Sequence, residues 1–418
     1  MKLELKKGTE TLSVEAEDQN VLAILKPASL PEDTNENQIV TDALKHPYGT
    51  PLLKEIVNPG DTVAIITSDN TRPVPTARIL PAVLKELREA GITKENITVY
   101  FARGSHRNMS EEEHHALMGD AYGEIRCADS DWNHVTTVGT TRRGTRVDLD
   151  SRIVEADHRI LIGNVEYHYF AGFSGGAKAV FPGMSTPESI AMNHRLMTSD
   201  DAHTAKLEGN PVREDIEEAA SFAKADFIIN VVLNTKKQII AAFAGDMKEA
   251  HRKACVYYDH VYRSVIPEKA DIVLVSQGGV PKDRNLYQTQ KALDNAGHAV
   301  KDGGTIIVVG SCKEGFGQNN FEEWMLKYND PDEMLQALNR HFVLGGHKAC
   351  AIASIRKKAQ IWLVSDMDPQ LVSKTFLKPY GSLDAAFSDA LKQYGKNAKI
   401  ISMPYGGSTL PVLNRKEL

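Results

Sequence analysis

Thr62-Val-Ala-Ile-Ile-Thr-Ser-Asp-Asn-Thr-Arg-Pro-Val-Pro75 decides the fold. Its first six residues are a short apolar run of the kind that fills a strand buried on both faces. The polar segment that follows is stiffened by Pro73 and Pro75, whose rings fix the backbone of a turn. Ala77–Ala90 then carries apolar residues at helical spacing, and Gly91 stops it. A second strand, Ile97–Ala102, runs into Gly104-Ser-His-Arg107, and Ser110-Glu-Glu-Glu113 is a capping box for the next helix. Repetition of strand, polar loop and helix implies a parallel sheet. The functional loops of such a sheet leave the carboxyl ends of its strands.

Outward from this unit the same rhythm continues. Lys2–Lys6 alternates as a short strand, and a helix is expected around Ile39–Leu44. Arg159–Ile162, Asp226–Leu233 and Gln238–Ala244 read as strands, with a helix over Met247–Arg263. Pro267 marks a boundary. Ala270–Ser276, Gly303–Gly310, Ala359–Ser365 and Ala398–Ser402 then supply a second strand series. The expected class is α/β: two Rossmann-like parallel-sheet domains facing across a cleft, one over 1–266 and one over 267–418. The last residues are expected to pack back on the N-terminal domain.

Composition narrows the function. A chain of 418 residues is long enough for two or three cores, and its net charge of -6 argues against a nucleic-acid surface. No run is apolar and long enough to span a bilayer, and the start lacks a signal-like apolar stretch. Four scattered cysteines make neither a disulfide framework nor a metal knuckle. No nucleic-acid partner, no membrane and a cytoplasmic location are expected.

The chemistry is concentrated in Gly163-Asn-Val-Glu-Tyr-His-Tyr-Phe-Ala-Gly-Phe-Ser-Gly-Gly-Ala-Lys-Ala-Val-Phe-Pro-Gly183. Gly172, Gly175 and Gly176 let the backbone approach a bulky group, with N–H groups able to face an anion. Lys178 follows at once, His168 precedes them, and Asn193-His194 lies beyond. The loop is neither GxGxxG nor a P-loop, so the glycines alone name no cofactor. With Asp69/Arg72, His106/Arg107 and Gln288/Lys291 on other loops, two histidines and several cations suit an anionic substrate that exchanges a proton near neutrality. Each has a plainer alternative: a helix-capping His106, a turn-bracing Arg72, a surface Lys291, a structural His194. His114-His115 is read as surface, because adjacent helix positions point about 100° apart. Asp129, Asp131 and His134 are read as a solvated loop, and His347 is left unassigned.

Taken together, Ser68–Pro75, Gly104–Arg107, Glu166–Lys178, Asn193-His194, Phe243-Ala-Gly-Asp246 and Asn285–Lys291 resemble, in order, the nickel-dependent lactate racemase family. The resemblance runs from about residue 60 to 310 and more weakly beyond. It implies a nickel pincer nucleotide, pyridinium-3,5-bisthiocarboxylate mononucleotide nickel, attached covalently at Lys178. His194 would be the protein ligand to the metal, and Asp69, Gly175, Gly176 and Tyr287 would line the cofactor. His106 and His168 would be the acid/base pair, with Arg72, Gln288 and Lys291 binding substrate. The implied partners are a small 2-hydroxy acid and the cell's cofactor-building enzymes: a carboxylase/hydrolase, a sulfur transferase and a nickel insertase.

The implied reaction is racemisation of lactate or a related 2-hydroxy acid. One histidine takes the hydroxyl proton while the C2 hydride passes to the cofactor. The resulting 2-keto acid then receives hydride on its other face. Hydride loss avoids removing a very weakly acidic C2 proton. Asn70, Tyr167 and Ala177 depart from commoner family residues, which bears on the substrate more than on the chemistry. A larger sugar acid or dicarboxylic acid is the alternative substrate. A non-catalytic carrier of the nickel cofactor, or a zinc hydrolase, is the alternative class.

Overall fold

A computed structural model describes residues 1–27, 34–343 and 345–413. The chain groups into two compact units, Ser29–His260 and Met1–Ala28 with Val261–Leu418. The expected boundary at 266/267 kept the N-terminal residues with the first unit. The structure groups them with the second, because Val21–Ile24 pairs in parallel with Ile400–Met403 as an edge strand of that unit's sheet. Residues 414–418, where the last residues were expected to fold back, lie outside the described residues.

In the Ser29–His260 unit a six-stranded sheet runs in the order Ile239–Gly245, Phe227–Leu233, His158–Asn164, Val63–Ser68, Ile97–Ala102, Arg126–Asp129. Ile239–Gly245 is antiparallel to its neighbour and the other pairings are parallel. Alternation along each strand feeds two cores. Val63 and Ile65 face one side with Ile79, Leu80 and Val83 of the helix Thr76–Glu89; Ala64 and Ile66 face the other with Ile216 and Ala219 of the helix Pro211–Ser221. Ile65 and Ile66 are both fully buried, each worth about 1.5–3 kcal/mol of burial.

From Val63–Ser68 the chain winds outward through Ile97–Ala102 and Arg126–Asp129, then returns to the other side of Val63–Ser68 as His158–Asn164. The reversal of direction falls between Val63–Ser68 and His158–Asn164. Loops diverge there at the carboxyl edge of an open sheet, which is where such folds bind ligands.

The second unit holds a six-stranded all-parallel sheet: Lys378–Tyr380, Gln360–Val364, Val300–Val309, Ala270–Ser276, Ile400–Met403, Val21–Ile24. Its helix Leu286–Ala296 follows the loop after Ala270–Ser276. The N-terminal hairpin Lys2–Lys7/Glu10–Glu15 packs Leu3 and Leu5 into this unit's core beside Ile272 and Leu274. No helix among the described residues is long and apolar enough to cross a membrane.

Candidate active site

Three of the expected loops leave the carboxyl edge of the first sheet. In the first, Asp69 is buried at 2 % exposure and closes a local turn. Its Oδ1 accepts from the Thr71 hydroxyl at 2.6 Å and the Thr71 N–H at 3.2 Å. That leaves Oδ2 for His106, whose Nδ1 lies 2.7 Å away. Burial alone would raise the Asp69 carboxyl. The hydrogen bond and charge of His106, with Thr71 and Arg72, outweigh it and hold Asp69 below the usual range. Arg72 is exposed and bonds to Thr71, at 3.3–3.4 Å.

The second loop is clamped from beneath. Arg103, buried, donates to the carbonyls of Ser130 and His106, each at 2.8 Å, and lies 3.7 Å from the centre of the Trp132 ring. Trp132 donates to the Gly104 carbonyl at 3.1 Å. The backbone of His106 is thus fixed by Arg103 and its ring by Asp69. With Nδ1–H donating to a carboxylate, the basic atom of neutral His106 is Nε2. Arg107 turns elsewhere, forming a two-pronged pair with Glu113 at 2.7 Å on both contacts. That pair and the Ser110 N–H bring Glu113 down to about 2. Arg107 therefore braces the capping box rather than joining the reacting groups.

The third loop folds back on itself through Tyr167–His168 and Gly172–Phe173. The helix Pro211–Ser221 grips it: its N-cap Asn210 donates to the Phe170 carbonyl at 2.9 Å, and Arg213 donates to Ala171 at 3.0 Å and to Phe173. The close approaches of the glycines are to protein atoms. A methyl at Gly175 would stand 2.5 Å from Asn230 Oδ1, and one at Gly176 would stand 2.8 Å from the His251 ring. The Gly176 N–H donates to Asn230 Oδ1 at 2.8 Å. Both glycines have positive φ, 73° and 58°, so the turn that carries Lys178 needs them for conformation as well as space.

Lys178 and His168 meet on this loop, Nζ to Nε2 at 3.4 Å, both half-buried. Burial, then Arg213 and Arg72, push the Lys178 amine well below its ordinary value. Burial, then Lys178, Arg72, His194 and Arg213, do the same to His168. The Ala171 N–H donates to His168 Nδ1 at 3.3 Å, so the neutral ring carries its hydrogen on Nε2, toward the Lys178 nitrogen. Both groups are thus biased toward their neutral forms. His194 ends the helix Pro187–His194, buried, with Nδ1 3.0 Å from Asn193 Oδ1. Its ring packs edge-on to Phe170, centroids 4.9 Å apart.

In the second unit, Tyr287, Gln288 and Lys291 lie on the helix Leu286–Ala296, capped by Asn285, which accepts from the Gln288 N–H at 3.0 Å. Gln288 and Lys291, three apart, share a face. Tyr287 is fixed by Lys348, which donates to its carbonyl at 2.7 Å and sits 3.9 Å from its ring centre. His347 is buried, accepts from the Gly345 N–H at 3.0 Å, and is driven to about 3 by burial and then by Lys348.

Two family models match the chain: the lactate racemase N-terminal domain over residues 7–205 and the lactate racemase C-terminal domain over 265–410. The chain belongs to the lactate racemase family. It is 32% identical to the lactate racemase of Thermoanaerobacterium thermosaccharolyticum over 98% of both chains. It is likewise 32% identical to that of Lactiplantibacillus plantarum, over 97% of this chain and 98% of the relative. The solved apoprotein of the Thermoanaerobacterium enzyme superposes with a TM-score of 0.92, at 32% identity, over 99% of this chain and 100% of that one. A Thermotoga maritima structure, 17% identical with a TM-score of 0.68 over 92% of this chain and 100% of that one, shares the fold.

Within this family member, several supporting residues escaped the sequence reading. Arg103, Trp132, Arg213, Asn230 and His251 hold the three loops, yet none sits in a motif. His114 is not a surface residue: Nε2 lies 2.9 Å from Asp129, and the ring stacks on Phe101 at 5.0 Å. The stretch after Asp129 is likewise built, with Val135–Thr140 and Arg146–Asp150 paired as a hairpin. Among the described residues no three His, Cys, Asp or Glu side chains converge where they could hold a metal ion.

Proposed function

We propose that this chain racemises lactate or a closely related 2-hydroxy acid, with His106 and His168 as the acid/base pair. The observation that carries the reading is that both rings stand on loops from one sheet edge, each held by a specific partner. His106 is pinned by a buried carboxylate, and His168 is kept neutral beside Lys178. Family membership and the two similar lactate racemases support the reaction class.

The residues fit the nickel pincer nucleotide. Lys178 would hold it covalently, since a lowered affinity for a proton favours the amine form that makes an amide-type bond. His194 would bind its metal, and with no cluster of metal-ligating side chains among the described residues the remaining donors would come from the nucleotide. The buried amide nitrogens of Asn164 and Asn230, beside the glycine loop, have no hydrogen-bond partner among the described residues and offer donors to a polar group. When bound, the cofactor would supply a reversible acceptor for the C2 hydride. The producing cell would furnish it through a carboxylase/hydrolase, a sulfur transferase and a nickel insertase.

The chain's own residues supply the remaining chemistry. Arg72, exposed and bonded to Thr71, would take the substrate carboxylate in a fork. His106 Nε2 would accept the hydroxyl proton of one enantiomer, and Asp69 would stabilise the imidazolium that results. His168 would serve the other enantiomer. Acylation of Lys178 removes the amine lone pair toward which His168 Nε2–H points in the free protein; that hydrogen can then bond to the substrate oxygen, and Nε2 takes up a proton only when the ring hydrogen moves to Nδ1.

His106→Ala and His168→Ala in cofactor-loaded protein are each expected to slow racemisation by about 10²–10⁴-fold in both directions, read by chiral chromatography. Near-normal turnover in either variant refutes the role given to that histidine.

A further inference from the structure

A neutral imidazole binds a metal through one nitrogen while the other carries hydrogen, and its neighbours decide which is which. Asn193 decides for His194. Its Nδ2 donates to Asp215 Oδ2 at 2.8 Å and to the Val212 carbonyl at 3.3 Å. Both partners are acceptors, so turning the amide over would aim its oxygen at a carboxylate and a carbonyl. Oδ1 therefore faces His194 Nδ1, 3.0 Å away. An amide oxygen only accepts, so Nδ1 carries the hydrogen and Nε2 the lone pair.

Asp215 is itself immobilised. Its Oδ1 accepts from the Thr141 hydroxyl and its Oδ2 from the Thr145 hydroxyl at 2.7 Å, both on the turn of the Val135–Asp150 hairpin. All five side chains are at least nine-tenths buried. The relay joins three separate elements: the hairpin turn, the helix Pro211–Ser221 and the end of the helix Pro187–His194.

We infer that Asp215 is a positioning residue for the metal-binding imidazole: through Asn193 it fixes the Nδ1–H tautomer of His194 and so presents the Nε2 lone pair to nickel. The inference rests on the reading of His194 as the nickel ligand. Asp215 touches neither metal nor substrate, and its effect passes entirely through the amide of Asn193.

The test begins with apoprotein carrying 15N-labelled histidine at about pH 8, where a neutral ring shows its tautomer in long-range 1H–15N spectra. The His194 signals are those lost in His194→Gln. Wild type should show an N–H-type Nδ1 and a lone-pair Nε2, and Asp215→Ala should bring in the Nε2–H form. Asp215→Asn, whose oxygen still accepts from Asn193, should restore the wild-type pattern. In nickel-loaded protein challenged with a chelator, Asp215→Ala should lose metal about 10–100-fold faster than wild type, and Asp215→Asn should not. An Nε2–H form in wild type, or an unaltered tautomer in Asp215→Ala, overturns the inference. If Asp215→Ala does not fold, Asn193→Ala serves: an unaltered Nδ1–H form there overturns the relay at its obligatory link. Nickel retained normally by His194→Gln refutes the ligand reading and the nickel half of the inference, while the tautomer result stands on its own.

Discussion

Lys178 is the residue on which the site's electrostatics converge. Its amine is stripped of solvent and faced by His168, Arg213 and Arg72, with no carboxylate among the causes of its shift. Depressing its affinity for a proton has a thermodynamic signature with a definite sign. Between its depressed folded value and the ordinary lysine value of 10.5, the unfolded chain binds more protons at this residue than the folded chain. Stability therefore rises with pH across the window from the depressed folded value up to 10.5. Lys178→Met removes this term. The variant apoprotein should be the more stable one near neutral pH, with its advantage shrinking as pH climbs toward 10.5, as read from urea unfolding at several pH values. An advantage independent of pH would mean that Lys178 is charged in the folded protein.

At the level of elements, the glycine loop shows how local chemistry and distant packing divide the work. Gly176 meets two demands, a φ of 58° and clearance from the His251 ring. Gly176→Ala should cost roughly 1–3 kcal/mol of stability by urea unfolding and slow acylation of Lys178 by an amine-reactive ester; full stability in this variant would show that the turn can relax. The loop's importance was legible, because glycines beside a lysine and histidines form a local pattern. The strands Val63–Ser68, Ile97–Ala102 and Ala270–Ser276 and the capping box at Ser110 were legible for the same reason. What the glycines approach was not. Asn230 and His251 lie more than fifty residues downstream and reach the loop only through strand pairing and helix packing. Asp215 escaped likewise, since one aspartate in a mid-helix run of acids gives no sign that it faces inward.

For the whole molecule, the parallel α/β class followed from strand and helix periodicity. The assignment of the N-terminal residues did not, because Val21–Ile24 finds its partner strand nearly four hundred residues away and no local signal names it. The chemistry was legible only as a constellation: ordered loops, each ending a strand, that a parallel sheet brings to one edge. The central claim is that this chain inverts a 2-hydroxy acid while keeping the hydrogen at C2. Nickel-loaded protein incubated with one lactate enantiomer in D2O, read for chirality and C2 deuterium together, tests it most directly. The account predicts racemisation with ordinary hydrogen retained at C2. Racemisation with deuterium at C2 would contradict it.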